Sequence, residues 1–348
     1  MLACTKEKIV NNDVFISTTW SPVYLGAGNN AINATQIGSE YYIGFSESIL
    51  TNVGGVENRV ATPRSYSYLP NGAAPGFAYN TMAYVGRDSI YIAKLNAVER
   101  TKAVAKLSDI GINGFSFVYQ IADKHSDGIM VNEFNEMIVP LYQPFQQKLA
   151  YAYLNVVGDV ADSLPVFLGE TGTVGDMTGL DADETAFKKV VQSKNAFFFI
   201  TNNSGLYKVE RSSSKKTLLG NNIMDVFLHG GNLAAVVKDS TVNRLYLSSN
   251  NGDSWTTVNN FPLLDTLDNC SRSFFSDGTE FFSYSDCGIE GLFSHKLVGN
   301  TVQSQKLKVD GVEGFEGTGM IIESNRILFA TRQGVFEAKR EGIYEESN

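Results

Sequence analysis

The chain has 348 residues and a formal net charge of −9, with 19% charged residues, 11% aromatics and 32 glycines. A pI near 5.0 argues against a nucleic-acid groove, which needs a basic stripe, and no uninterrupted apolar run reaches membrane-spanning length. Low charge with abundant aromatics and glycines favours many short strands joined by tight turns over helical bundles.

In chain order, the first feature is Met1-Leu2-Ala3-Cys4, which looks like the tail of a bacterial lipobox with Cys4 as the lipidated residue. Only three residues precede Cys4, whereas a working signal needs charged and apolar regions upstream. Residues 13–18 (Asp-Val-Phe-Ile-Ser-Thr) then read as a strand with no preceding partner.

From there a rhythm sets in. Short strands centred on an aromatic recur at Tyr42, Tyr91, Tyr151, Tyr207, Tyr246, Phe293 and Phe336, spaced 49, 60, 56, 39, 47 and 43 residues apart. Most are preceded by a second apolar stretch, as in 82–85, 137–139, 197–200, 233–237, 281–282 and 327–330, with turn-forming Gly, Asn or Asp between. Strand–turn–strand units tiling a whole chain are the signature of a radial repeat. The expectation is one all-β domain over residues 1–348, a β-propeller of seven four-stranded blades. The ring would be closed by the strand at 13–18 pairing within the last blade, because an unpaired sheet edge would otherwise remain. The long intervals place insertions at about 108–135 and 155–195.

Between the Tyr246 strand and the next runs Ser248-Ser249-Asn250-Asn251-Gly252-Asp253-Ser254-Trp255. Asn250 can fold its amide onto the turn backbone, Gly252 can take positive φ and Trp255 can lie over the turn. Ser248, Asn250, Gly252, Ser254 and Trp255 together closely resemble the Asp-box, or BNR repeat, a hairpin turn on the blades of many β-propellers. The resemblance implies a structural role away from a ligand face. It also brings an enzyme into view, since Asp-box proteins include sialidases and other glycosidases. A sialidase-like site needs an arginine cluster, a tyrosine nucleophile with a glutamate, and an acid/base aspartate. The early Arg-Ile-Pro signature of those enzymes is missing, and Thr62-Pro63-Arg64 is a poor substitute.

Other candidates come with plainer readings. Asp123, His125, Asp127 and Asp176 sit in the long intervals, where binding loops are expected. His125 is more ordinary as a solvated loop histidine, and His229 and His295 receive the same discount. Asp181 with Glu184 reads as a capping box opening a short helix through 186–191 rather than as a calcium loop. Cys270 and Cys287 could meet across a hairpin as a disulfide or remain two thiols in a partly buried sheet. No Cys-x-x-Cys pair and no phosphate loop occur, so no metal or cofactor is expected.

Two functions follow. The first is a non-catalytic docking module in a larger assembly, binding a protein or a surface glycan. Its setting would be a bacteriophage virion or tail, or the bacterial surface if Cys4 carries lipid. The second is a carbohydrate-active enzyme of the sialidase or glycoside-hydrolase kind.

Overall fold

The computed structural model describes residues 18–23, 31–37, 40–45, 48–53, 55–61, 65–70, 81–86, 89–94, 101–106, 120–121, 130–131, 136–143, 148–155, 174–176, 187–193, 196–201, 205–210, 213–219, 222–238, 243–261, 272–285 and 291–344. Among the described residues all regular elements are strands, and the architecture is an all-β propeller.

The first sheet runs β2 (Ala31–Ile37), β3 (Glu40–Phe45), β4 (Ser48–Val53) and β5 (Val56–Ala61). The second runs β6 (Ser65–Pro70), β7 (Thr81–Gly86), β8 (Ser89–Lys94) and β9 (Thr101–Lys106). A five-stranded sheet follows, built on β12 (Glu136–Gln143), which pairs β13 (Lys148–Asn155) and the short β10 (Gln120–Ile121) and β11 (Met130–Val131). Its outer strand is β14 (Val174–Asp176). Next come β15 (Phe187–Ser193), β16 (Ala196–Thr201), β17 (Leu206–Glu210) and β18 (Ser213–Leu219).

The largest sheet has eight strands. One half is β19 (Ile223–His229), β20 (Asn232–Lys238), β21 (Asn243–Ser248) and β22 (Thr256–Phe261); the other is β23 (Arg272–Ser276), β24 (Glu280–Ser285), β25 (Phe293–Val298) and β26 (Thr301–Lys306). The last sheet consists of β27 (Gly317–Ile322), β28 (Arg326–Thr331), β29 (Gly334–Lys339) and the N-terminal β1 (Ser21–Pro22).

Seven separate four-stranded blades are therefore not what forms. Among the described residues there are six hydrogen-bonded sheets: five discrete blades of four or five strands and the eight-stranded sheet. The outer strands β22 and β26 meet in parallel at Asn259 and Thr301, fusing two meanders that sequence spacing counted apart. A strand from the N-terminal part of the chain does pair into the last sheet. Ser21 pairs with Glu337 and Pro22 with Phe336, whereas residues 13–17 of the expected strand lie outside the described residues. Pro22 suits an outer edge because it has no N–H to give a further strand.

The second strand of each meander explains the apolar stretches. Residues Phe197–Phe199, Ala234–Val236, Phe281–Phe282 and Ile327–Ala330 are essentially inaccessible on both faces, so they read as continuous apolar runs rather than alternating ones. Alternate residues feed different cores. Ile327 and Phe329 pack with Phe282 and Tyr284 of the preceding sheet; Leu328 and Ala330 pack with Tyr41, Ile43 and Leu50 of the first sheet. Likewise Leu233 and Ala235 face Phe198 and Ile200, while Ala234 and Val236 face Phe274 and Phe281. The cores thus lie between sheets, and each sheet depends on both neighbours.

First strands contact first strands around the ring: β15 touches β19, β19 touches β23, β23 touches β27, β27 touches β2 and β2 touches β6. In most of these strands an extra residue interrupts the first ladder, between Phe187 and Lys189, Ile223 and Asp225, Ala31 and Asn33, Ser65 and Ser67, and Gly317 and Gly319. Such bulges twist and bend a strand, which suits strands converging on one axis.

The capping-box helix expected through 186–191 is the strand β15. Val190 and Val191 are β-branched and buried, and the strand pairs with the Phe197–Phe199 run. Packing on a pleated surface overrides a local cap signal. Asp181 and Glu184 lie outside the described residues.

Candidate binding groove and the inter-sheet ion pairs

The octet forms the turn between β21 and β22. Ser248 Oγ donates to Asn250 Oδ1 at 2.9 Å and accepts from the Gly252 N–H at 2.8 Å. Asn250 Oδ1 also accepts from the Ser254 N–H at 2.9 Å, and its Nδ2 donates to Ser254 Oγ at 2.8 Å. Asn251 and Gly252 take φ of 60° and 84°, the left-handed region that Gly and Asn tolerate. Trp255 is half-buried against the core shared by the β15–β18 sheet and the β19–β22 meander. From β17, Lys208 Nζ reaches Asp253 at 3.2 Å and Glu210 at 2.7 Å. Burial works against the Lys208 charge, but the two carboxylates outweigh it and raise its pKa. The turn thereby ties two neighbouring meanders together.

Similar ties recur around the ring. Asp225, buried on β19, accepts from Lys189 of β15 at 2.9 Å, from its neighbour's Val226 N–H at 2.8 Å and from the Phe274 N–H of β23 at 2.6 Å. One carboxylate joins three first strands, although burial still holds its pKa above the ordinary range. On one face of the last sheet, Arg326 binds Glu57 of the first sheet and Glu323 and Glu337 of its own, and donates to Tyr41 Oη at 3.4 Å. Burial would raise the Glu57 pKa, but hydrogen bonds from Tyr41 and Arg326 bring it below the usual value. On the other face, Arg340 binds Asp277 at 2.7 Å and Glu280 at 2.8 Å. Both groups of carboxylates are engaged by guanidinium groups.

His229 and His295 are both buried. His229 is 7% exposed, with Nδ1 2.8 Å from Ser276 Oγ, and burial lowers its pKa against the opposing pull of Asp277. His295 is fully enclosed, with Nε2 2.8 Å from Ser283 Oγ and Nδ1 2.8 Å from Ser304 Oγ. Arg272 Nη1 donates to the Gly291 carbonyl at 3.1 Å and to Ser283 Oγ at 3.4 Å. Burial, and then the Arg272 charge, depress the His295 pKa to about 3. Both histidines are on strands packed from two sides, which a lone His in a sequence does not announce.

Ser304 also lines an open groove of about 580 Å3 between the β23–β26 meander and the chain end. Its floor is two in-register rows. Glu280 pairs Lys296, which pairs Gln303; Ser294 pairs Gln305 on the same face. Arg340 and Tyr344 form the opposite wall, and Tyr344 Oη lies 3.2 Å from both Glu280 oxygens. Sequence reasoning missed this groove. Its residues are scattered polar positions on three strands and a tail, and only strand register places them together.

Of the remaining candidates, Asp176 is not among the residues that line this groove. Asp176 ends β14, paired with Ala150. Cys4, Asp123, His125, Asp127, Cys270 and Cys287 lie outside the described residues. Among the described residues no group of His, Cys, Asp and Glu could hold a metal ion, and no helix is long and apolar enough to cross a membrane.

No protein-family profile and no curated protein matches the chain in sequence. Solved β-propellers do match in structure. A catalytically inactive virginiamycin B lyase from Staphylococcus aureus with quinupristin superposes with a TM-score of 0.55 at 10% identity, covering 92% of this chain and 98% of that one. YCF48 from Cyanidioschyzon merolae gives 0.55 at 8% identity, covering 92% and 98%. YCF48 bound to D1 peptide gives 0.53 at 11% identity, covering 92% and 94%. At such identities the similarity establishes the β-propeller fold and nothing finer.

Proposed function

We propose that this chain is a non-catalytic β-propeller that docks a protein or glycan partner within a larger assembly. The observation that carries this reading is the Ser304–His295–Ser283–Arg272 chain beside the groove. It has the outline of a nucleophile, a base and an orienting group, but its electrostatics are reversed. Hydrolytic triads place a carboxylate behind the imidazole to stabilise the imidazolium. Here the group behind it is a hydroxyl backed by a guanidinium, and His295 is held neutral with a pKa far too low for a general base at neutral pH. The carboxylates near the groove are likewise engaged by Arg340.

A ring whose neighbouring sheets are joined by buried and half-buried ion pairs suits a scaffold. One structural neighbour was solved with a peptide bound, which is consistent with docking on this fold. The setting we propose is a bacteriophage virion or tail, or the bacterial cell surface if Cys4 is lipidated, and the octet is then an Asp-box acting as a brace. The test is a hydrolase screen on sialosides and aryl glycosides, where no turnover is expected. Hydrolysis abolished by a single acidic substitution would establish the glycosidase reading in its place.

A further inference from the structure

We infer that the groove between the β23–β26 meander and the chain end is a binding site for a neutral oligosaccharide. This inference rests on the docking reading and names a ligand class for it. The floor carries two primary amides on β26, Gln303 and Gln305, with the Lys296 ammonium across from the first and the Ser294 hydroxyl across from the second on β25. Amides and hydroxyls both donate and accept. That matches sugar hydroxyls, which do the same, better than it matches a ligand with donors or acceptors alone.

The alternatives fit less well. An anion site needs uncompensated positive charge, yet Arg340 is already bound by Asp277 and Glu280, and Glu280 stands in register with Lys296. An apolar ligand, or a peptide held by a hydrophobic anchor, needs an aliphatic pocket. Among the described residues the lining contains no aliphatic side chain, and its one aromatic is Tyr344. The groove is also open to solvent, which admits an extended chain from the side. Tyr344, held by Glu280 through its hydroxyl, gives the site a fixed wall on which the apolar face of a sugar ring can rest.

The experiment is isothermal titration of the full chain with neutral hexasaccharides of β-1,4-linked glucose, α-1,4-linked glucose and β-1,4-linked N-acetylglucosamine. At least one should bind, and the Gln303→Ala/Gln305→Ala double variant should bind it about tenfold or more weakly, the order expected for two lost hydrogen bonds. Because both glutamines are strand-surface residues, the melting temperature should be unchanged. No binding by any of the three at millimolar concentration would overturn the inference, as would binding that the double variant leaves intact. Chromatography of the titrated sugar separates the two readings. Cleaved product would sink the docking reading while leaving the groove as the sugar site, provided the double variant still weakened binding.

Discussion

The side chain of Gln36 pairs with the backbone of Ile322 in both directions: its Nε2 donates to the Ile322 carbonyl at 2.9 Å and its Oε1 accepts from the Ile322 N–H at 2.9 Å. Gln36 is on the first strand of the first sheet and Ile322 on the first strand of the last, so an amide side chain joins the two ends of the ring. Beside it, a Cβ on Gly319 would come within 2.6 Å of Ala34 Cβ, so only glycine lets β27 approach β2 this closely.

Gln36→Leu should therefore lower the unfolding free energy by about 1–3 kcal/mol, since it strands a partly buried N–H and carbonyl on Ile322. Urea denaturation followed by tryptophan fluorescence measures it. An unchanged midpoint would mean that the seam is held by packing alone.

The N-terminal closure depends on Trp20. This side chain is 1% exposed, its Nε1 donates to the Lys308 carbonyl at 2.8 Å, and its ring centroid lies 5.8 Å from that of Phe329. Gly311, at φ +96°, brings its backbone against the Trp20 carbonyl, where a Cβ would sit 2.6 Å away. Trp20→Ala should cost about 3–5 kcal/mol and make residues 18–23 protease-sensitive, measured by limited proteolysis with mass spectrometry.

Trp255→Ala should be milder, about 1–3 kcal/mol, because the ring is only half-buried and the hydrogen bonds of the turn involve other residues. Oligosaccharide titration of this variant should match the parent chain. Selective loss of binding at an unchanged melting temperature would contradict the bracing role.

His295 makes stability depend on pH. Its folded pKa is depressed, so the unfolded chain binds the proton more tightly. The stabilisation is complete above the unfolded value of about 6.5 and is lost as pH falls towards about 3. The span corresponds to a loss on the order of 3–5 kcal/mol. Urea midpoints measured between pH 7 and pH 4 should fall more steeply for the parent chain than for His295→Gln.

Arg326 and Arg340 fasten the last sheet to its two neighbours, one on each face. Arg326→Met should cost about 1–3 kcal/mol by freeing Glu57, Glu323 and Glu337. The loss should shrink in 1 M sodium chloride, where mutual repulsion of the freed carboxylates is screened.

The repeat was legible because each second strand must be apolar on both faces, and runs such as Phe197–Phe199 and Ile327–Ala330 carry that demand openly. Six of the seven aromatic anchors, Tyr91, Tyr151, Tyr207, Tyr246, Phe293 and Phe336, lie on the third strand of their meander. Tyr42 is on the second, so the first unit was read one strand out of step. The turn chemistry of Ser248 to Trp255 was equally visible, since Asn250 and Gly252 answer to local backbone geometry.

What the linear order could not express is everything that depends on one sheet meeting another. The fusion of β22 to β26 arises from edge positions in space, and β15 overrode a cap signal because a pleated partner was waiting for Val190 and Val191. The strand Ser21–Pro22 is held in the last sheet by the pocket that encloses Trp20. Strand register alone brought Glu280, Lys296, Gln303 and Gln305 onto one floor, since side chains on a sheet find their neighbours through hydrogen bonding between strands rather than through distance along the chain.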